Sequence, residues 1–356
     1  MSDASSPSSV PSEPAALARF LDANFNRAAE GLRVAEDVVR FVQNDALLAA
    51  RLKRIRHALR DQLASIDASA LARARNVAGD VGRNVATIQE YSRAGPDDLI
   101  AANLKRAQQS LRALEEGLKL SSGDLANAAG HLRYETYQLE HALAVRDWSR
   151  TELAEAKLYV LLPERSSRAA FEVLARELID GGVDLLQLRA KSLDDRELLR
   201  RGEFLTKLVA GTAARWVMND RADVAAVTGA SGVHVGQTDL PLPQVRQLVA
   251  PRAWVGVSTH SLDQVADATF AGATYLGVGP TFASRTKNFS TLAGLELIHQ
   301  TAANCAVPWF AIGGINLGNL DRVLAAGARR IAVGNAIVEA PSPAEAVRAF
   351  REKLGG

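Results

Sequence analysis

The sequence predicts an α/β protein, a (β/α)8 TIM barrel preceded by an all-α helical-bundle domain. Three observations predict it. From Lys157 onward, eight short apolar runs alternate with amphipathic stretches. Before residue 150 the chain is rich in Ala, Leu, Arg, Glu and Gln, and Gly and Pro are sparse once residue 14 is passed. The length of 356 residues suits two domains.

Composition narrows the class further. Apolar residues at 47% and charged residues at 23% exclude a disordered or fibrous chain. Forty-two basic against 40 acidic residues give a net charge of +2, which argues against a nucleic-acid-binding surface over the whole molecule. One cysteine, Cys305, excludes a disulfide framework and a cysteine-only zinc site. The N-terminus has neither a cationic start nor an apolar core, and no apolar run reaches the ~18–20 residues of a membrane span. The expectation is a cytoplasmic protein with no membrane or nucleic-acid partner. The basic residues comprise 34 Arg and only 8 Lys, so the placement of each Lys is informative.

Residues 1–14, rich in Ser and Pro, read as a disordered tail, residues 15–150 as the helical domain and residues 151–356 as the barrel. Apolar residues recur at helical spacing over Phe20–Phe41, Ala46–Ile66, Asp97–Leu120 and His131–Ala144. A repeat relates Asn24–Asp37 to Asn103–Glu116 at a constant offset, with Asn, Arg and Glu on both helices. Two readings of the repeat stay open: solvated faces laced with Arg–Glu pairs, or a cleft holding an anion on Arg27, Arg33, Arg106 and Arg112. Asp147–Glu155 reads as a charged connector. The apolar runs then begin at Lys157, Leu185, Arg215, Gly232, Trp254, Tyr275, Trp309 and Arg330, mostly with room for one helix between them. The third-to-fourth interval is short, so its helix must be abbreviated. A doubly wound sheet is the runner-up fold.

In such a barrel the chemistry lies at the C-terminal strand ends. Gln187, Arg189 and Lys191 alternate and so share one side of the second strand. Asn219-Asp220 ends the third strand, Gly236–Asp239 follows the fourth, and Ser258–His260 the fifth. The loop after the sixth carries Ser284-Arg285-Thr286-Lys287. Gly313-Gly314 and Gly334-Asn335 can form the phosphate cradle built after strands seven and eight. Asp220 and Asp239, on adjacent strands, can share one hard cation such as Mg2+. Arg189, Lys191 and Lys287 can surround a second polyanion. The pattern describes two phosphorylated ligands with a metal-bound diphosphate between them. A phosphate-binding isomerase or aldolase is the alternative, although a Schiff-base lysine belongs inside a strand, and Lys191 and Lys287 lie beyond strand ends.

Residues 157–340 resemble thiamine-phosphate synthase. The resemblance rests on Gln187–Lys191, Asn219-Asp220, Gly232–Asp239, Gly256–His260, Gly277–Pro280 with Ser284–Lys287, and Ala311–Ile315. It implies a transferase of thiamine biosynthesis that joins a hydroxymethylpyrimidine diphosphate to a thiazole phosphate, or its carboxylated form, and releases pyrophosphate. It implies that Gln187, Leu188, Arg189, Ala190, Lys191, Asn219, Ser258 and Lys287 hold the pyrimidine diphosphate. Ser284, Arg285, Thr286, Gly314, Gly334 and Asn335 would hold the thiazole phosphate, and Asp220 and Asp239 the Mg2+. Arg189, Lys191 and Lys287 would neutralise the departing pyrophosphate. The family often has Thr or Glu near Ser284-Arg285, and Ile-Ser or Val-Ser where this chain has Gly334-Asn335. The helical half resembles an extra N-terminal domain of some members, linked to phosphorylation of hydroxymethylpyrimidine phosphate. It lacks a G-x-x-x-x-G-K-[ST] loop, and a docking or dimerisation bundle is the other reading. The pattern leaves homo-oligomerisation open.

Overall fold

The computed structural model describes residues 13–63, 66, 68–75, 92–283 and 292–355. Contacts divide the chain into two units, Met1–Glu140 and His141–Gly356. The first is built on α1 (Glu13–Phe41), α2 (Ala46–Leu63), α3 (Ala68–Ala74) and α4 (Pro96–Leu118). It also takes in most of α5 (Gly123–Glu152). Helix α3, at seven residues, is too short to show a recognisable period. The stretch read as a connector is helical as far as Glu152. No Gly or Pro interrupts the sequence from His131 to Glu152, so nothing ends the helix earlier.

The repeat maps onto α1 and α4, which pack through small residues. Ala28, Leu32 and Ala35 of α1 are fully buried, as are Ala107 and Leu111 of α4. At Gly31 a Cβ would stand 2.6 Å from the Asn103 carbonyl oxygen, so the backbones meet where no side chain fits. Equivalent residues do equivalent work. Asn24 and Asn103 each donate from the side-chain amide to the carbonyl four residues earlier, at 2.9 and 2.8 Å. Arg33 pairs with Asp37 at 3.1 Å, and Arg112 with Glu115 and Glu116 at 3.0 and 2.7 Å. Glu36 and Glu115 also receive Arg56 and Arg133 from other helices. Arg27 and Arg106 are exposed. The reading of laced Arg–carboxylate faces therefore describes Arg33 and Arg112.

In the second unit the eight apolar runs become β1 (Leu158–Pro163), β2 (Leu185–Arg189), β3 (Arg215–Asn219), β4 (Gly232–Val235), β5 (Trp254–Thr259), β6 (Tyr275–Val278), β7 (Trp309–Ile312) and β8 (Ile331–Val333). All pair in parallel with their chain neighbours, and β8 closes on β1. Helices α6 (Arg168–Asp180), α7 (Asp195–Val209), α8 (Ala222–Thr228), α9 (Leu242–Leu248), α10 (Leu262–Phe270), α11 (Gly294–Asn304) and α12 (Leu320–Ala325) connect them. Two more, α13 (Asn335–Val338) and α14 (Pro343–Lys353), follow β8. Helix α8, between β3 and β4, has seven residues, as the short interval requires. No helix among the described residues is long and apolar enough to cross a membrane.

Inside the barrel, Tyr159, Leu185, Val217, Trp254, Tyr275, Phe310 and Ala332 form one packed cluster, and Leu153 closes it from the N-terminal side. Bulky and absent side chains alternate here. A Cβ on Gly256 would lie 2.1 Å from the Tyr275 ring, and one on Gly277 would lie 3.2 Å from the His234 ring. Gly256→Ala should therefore destabilise the barrel by about 1–3 kcal/mol through overpacking. All four tryptophans lie between residues 148 and 309, so the change should appear as a lower urea midpoint in tryptophan fluorescence; an unchanged midpoint would show that the ring can move aside.

Candidate active site

A cavity of about 500 Å³ opens at the C-terminal ends of the strands. Strand alternation decides what enters it. Gln187 and Arg189 point in from β2, and Leu188 between them is fully buried and does not line the space. Asn219, Ser258 and His260 line it from β3 and β5. Ala190, like Leu188, does not line it.

Charge collects beside this wall. Asp220, directly after the lining Asn219, takes the left-handed backbone conformation at φ 62, which Asp tolerates better than most residues. Lys191 is exposed and reaches Asp220 at 3.7 Å. Asp239 accepts from the Gly236 N–H at 2.7 Å. Burial pushes the Asp220 carboxyl above the usual carboxylate range; the Asp239 carboxyl beside it pushes the same way, and the Lys191 ammonium opposes both. Glu164, after β1, steadies the loop that carries Lys191 by accepting from the backbone N–H and hydroxyl of Ser192 at 3.1 and 2.5 Å. These hydrogen bonds hold the Glu164 carboxyl below its ordinary range.

The opposite wall presents bare backbone at three glycines, beside Ile312, Ile315, Asn316, Asn335 and Glu339. Gly313 and Gly314 have φ of 105 and 62, and a Cβ on Gly314 would stand 2.5 Å from the Ala283 carbonyl oxygen. Both positions therefore require glycine. Gly334 and Asn335, at the start of α13, also line the cavity, and the space before Gly334 is open to 3.7 Å. Ser284, Arg285, Thr286 and Lys287 lie outside the described residues.

Three residues without a sequence-based role lie at the floor, where Tyr159 and His234 line the cavity and Tyr275 joins them without lining it. Gln187 Nε2 donates to the Tyr159 hydroxyl at 2.6 Å, and Tyr159 and Tyr275 share a hydrogen bond at 3.2 Å. Tyr275 meets His234 Nδ1 at 3.2 Å, and His234 Nε2 meets Ser258 Oγ at 2.9 Å. The signal in the sequence is faint: a His between two valines in a strand, and tyrosines inside otherwise aliphatic runs.

Comparison with known proteins follows the same division. Residues 158–337 match the family model described as thiamine monophosphate synthase, and residues 19–142 match that of the ThiD2 family. A thiamine-phosphate synthase of Rhodopirellula baltica is 40% identical over 351 residues, covering 96% of this chain and 94% of that protein. One from Synechococcus sp. is 39% identical over 343 residues, covering 95% and 96%. Among solved structures, a thiamine phosphate pyrophosphorylase of Pyrococcus furiosus superposes with a TM-score of 0.51 at 32% identity, covering 56% of this chain and 96% of that one.

The carboxylate pair yields a titration test. Lys191→Ala should move the Asp220 midpoint upward, because the opposing ammonium is lost, and Asp239→Asn should move it downward. Carboxyl carbon NMR across the acidic range reads both shifts; movement in the same direction would break the assignment.

Proposed function

The chain belongs to the thiamine-phosphate synthase family and is a transferase, and from that premise we propose that its barrel joins a hydroxymethylpyrimidine diphosphate to a thiazole phosphate, giving thiamine phosphate and pyrophosphate. The observation that carries this reading is one cavity with two unlike anion-binding walls. On the side of β2 to β5, Gln187, Arg189 and Asn219 line it, with Lys191 and the Asp220–Asp239 pair next to that lining, and on the side of β7 and β8 it is lined by Gly313, Gly314 and Gly334.

The carboxylate pair fits a divalent ion. Two neighbouring carboxyls, Asp220 raised first by burial and then by Asp239, are hard oxygen donors of the kind such a cation takes. Mg2+ usually keeps several waters and binds through one or two carboxylates plus substrate phosphates, which matches a site with two carboxylates beside a diphosphate pocket. Asp220 and Asp239 would hold Mg2+, which when bound supplies positive charge to the diphosphate. The chain's own residues do the rest. Gln187 and Asn219 orient the pyrimidine, and Arg189, Lys191 and Lys287 meet the charge that grows on pyrophosphate as the C–O bond breaks. The aminopyrimidine ring stabilises the cation left behind. Gly314, Gly334 and Asn335, with Ser284, Arg285 and Thr286, anchor the thiazole phosphate so that its ring nitrogen is aimed at that carbon. No nucleophilic side chain is needed.

For the helical unit, the match to the ThiD2 family over residues 19–142 favours the preceding step, phosphorylation of hydroxymethylpyrimidine phosphate. Full-length protein given ATP and the pyrimidine monophosphate should release ADP and form the diphosphate. No ADP release would leave docking or dimerisation as its role.

Pyrophosphate release from the two phosphorylated halves tests the barrel reading directly; no release with both present would end it. Asp220→Asn and Asp239→Asn should each cost about 3–4 kcal/mol of transition-state stabilisation with the fold intact by circular dichroism. Near-normal rates in both at low Mg2+ would remove the metal assignment. Gly314→Val should raise KM for the thiazole phosphate more than for the pyrimidine diphosphate, and the reverse would mean the two walls are exchanged. Lys287→Ala should slow single turnover by roughly 10²–10³ with both substrates saturating; a rate within about twofold of the parent returns Lys287 to the surface.

A further inference from the structure

The floor of the cavity is a chain of hydrogen bonds that crosses the barrel, from Gln187 through Tyr159, Tyr275 and His234 to Ser258. Tyr159, Tyr275 and His234 are 2%, 0% and 6% exposed, so water cannot readily replace a lost partner. Each hydroxyl has one proton to give, and a neutral imidazole has one donor and one acceptor nitrogen. Such a chain has two polarities. In the forward one, Gln187 Nε2–H donates to Tyr159, Tyr159 to Tyr275, and Tyr275 to His234 Nδ1, while His234 donates from Nε2 to Ser258. In the reverse one, every donor becomes an acceptor and the Gln187 amide turns over.

The polarity reaches the cavity at both ends. Forward, Gln187 turns its amide oxygen to the cavity and Ser258 keeps a free O–H. Reversed, Gln187 turns its N–H groups in and Ser258 has only lone pairs to offer. We propose that Tyr159, Tyr275 and His234 are positioning residues that hold the forward polarity, so that Gln187 selects a ring bearing an amino donor while Ser258 donates to the diphosphate. The inference rests on reading the cavity as the pyrimidine-diphosphate site. One observation and one electrostatic argument about the bound diphosphate support it. The Gln187 amide nitrogen faces Tyr159 at 2.6 Å. An anion held beside Arg189 and Lys191 favours a hydroxyl proton over lone pairs at Ser258. Burial also pushes both phenols well up, so both keep the protons the chain needs.

Tyr275 does not line the cavity, which makes it the place to cut. Tyr275→Phe keeps the ring that packs edge-on against Tyr159 and Phe310 and removes only the connecting hydroxyl. It should lower kcat/KM for the pyrimidine diphosphate by about tenfold to a hundredfold, as two buried hydrogen bonds are lost, and leave KM for the thiazole phosphate within about twofold. A purely structural role would stop there. The positioning role also requires the preference for the amino ring over its oxo analogue to fall by about tenfold or more, because the freed Gln187 amide can turn over. Nitrogen NMR of histidine-labelled protein, with His234 assigned by its loss in His234→Gln, should show the Nε2–H tautomer in the parent and a mixture in Tyr275→Phe. Retained preference for the amino ring, or an Nδ1–H tautomer in the parent, overturns the proposal. Failure of the parent to turn over the amino substrate defeats the site reading instead, and the tautomer still decides the polarity. Were Tyr275→Phe not to fold, the parent's tautomer and the preference of Tyr159→Phe would decide.

Discussion

Tyr275 can lie inside the barrel because Gly256 has no side chain. The interior of an eight-stranded barrel is only wide enough for side chains to fill, so any volume one strand takes must be surrendered by its neighbour. At Gly256 the surrender is complete, since a Cβ there would overlap the phenol ring. Gly277 makes a similar concession to His234. Once the rings are inside, their polar atoms are shut away from water and must find partners among themselves. The absence of two side chains thus leads to a polar floor in an otherwise apolar core, and Gln187 and Ser258 stand directly on it.

Above that floor the two walls differ because the strand ends differ. On the side of β2 and β3, polar side chains continue past the ends, so charge can be brought close to a ligand. On the side of β7 the chain turns at once through left-handed glycines, so main chain approaches where side chains cannot. The proposed metal-bound diphosphate would draw on the first kind of wall, and the proposed thiazole phosphate on N–H groups of the second. The helical unit follows a different economy. Two of its repeated arginines, Arg33 and Arg112, are engaged by carboxylates on their own helices, and at Gly31 small residues let the α1 and α4 backbones approach closely.

Much of this was legible in the sequence, for identifiable reasons. The eight strands stood out because each buried run is apolar and short, and the helices because their apolar positions recur every three or four residues. The polar residues at the strand ends could be picked out because they interrupt those runs. The floor could not. Tyr159 and Tyr275 sit at the start of aliphatic runs and His234 between two valines, where a single sequence shows only core. Their meaning comes from pairing across the barrel axis, between strands far apart in the chain. The left-handed turn at Asp220 was equally hidden, because an Asp after a strand is ordinarily a helix cap. The extent of α5 was misjudged because its charged residues resembled a linker, whereas a helix ends for want of continuation and not for want of apolar residues.

That continuation bears on where such a chain could be cut or spliced. The barrel's family resemblance begins at residue 158, yet Leu153 is completely buried and seals the packed layer of rings from below, and Trp148 and Ala156 pack against the same layer. Arg330, at the threshold of β8, donates to the Leu153 carbonyl at 3.1 Å. A barrel inherited from the family boundary onward would arrive with its lower mouth open and its deepest aromatic side chains wetted. The seam between the two units therefore lies within α5, upstream of the residue at which the barrel family model begins to match. Recombination at that point would pass on the catalytic sequence without the stopper that keeps it dry.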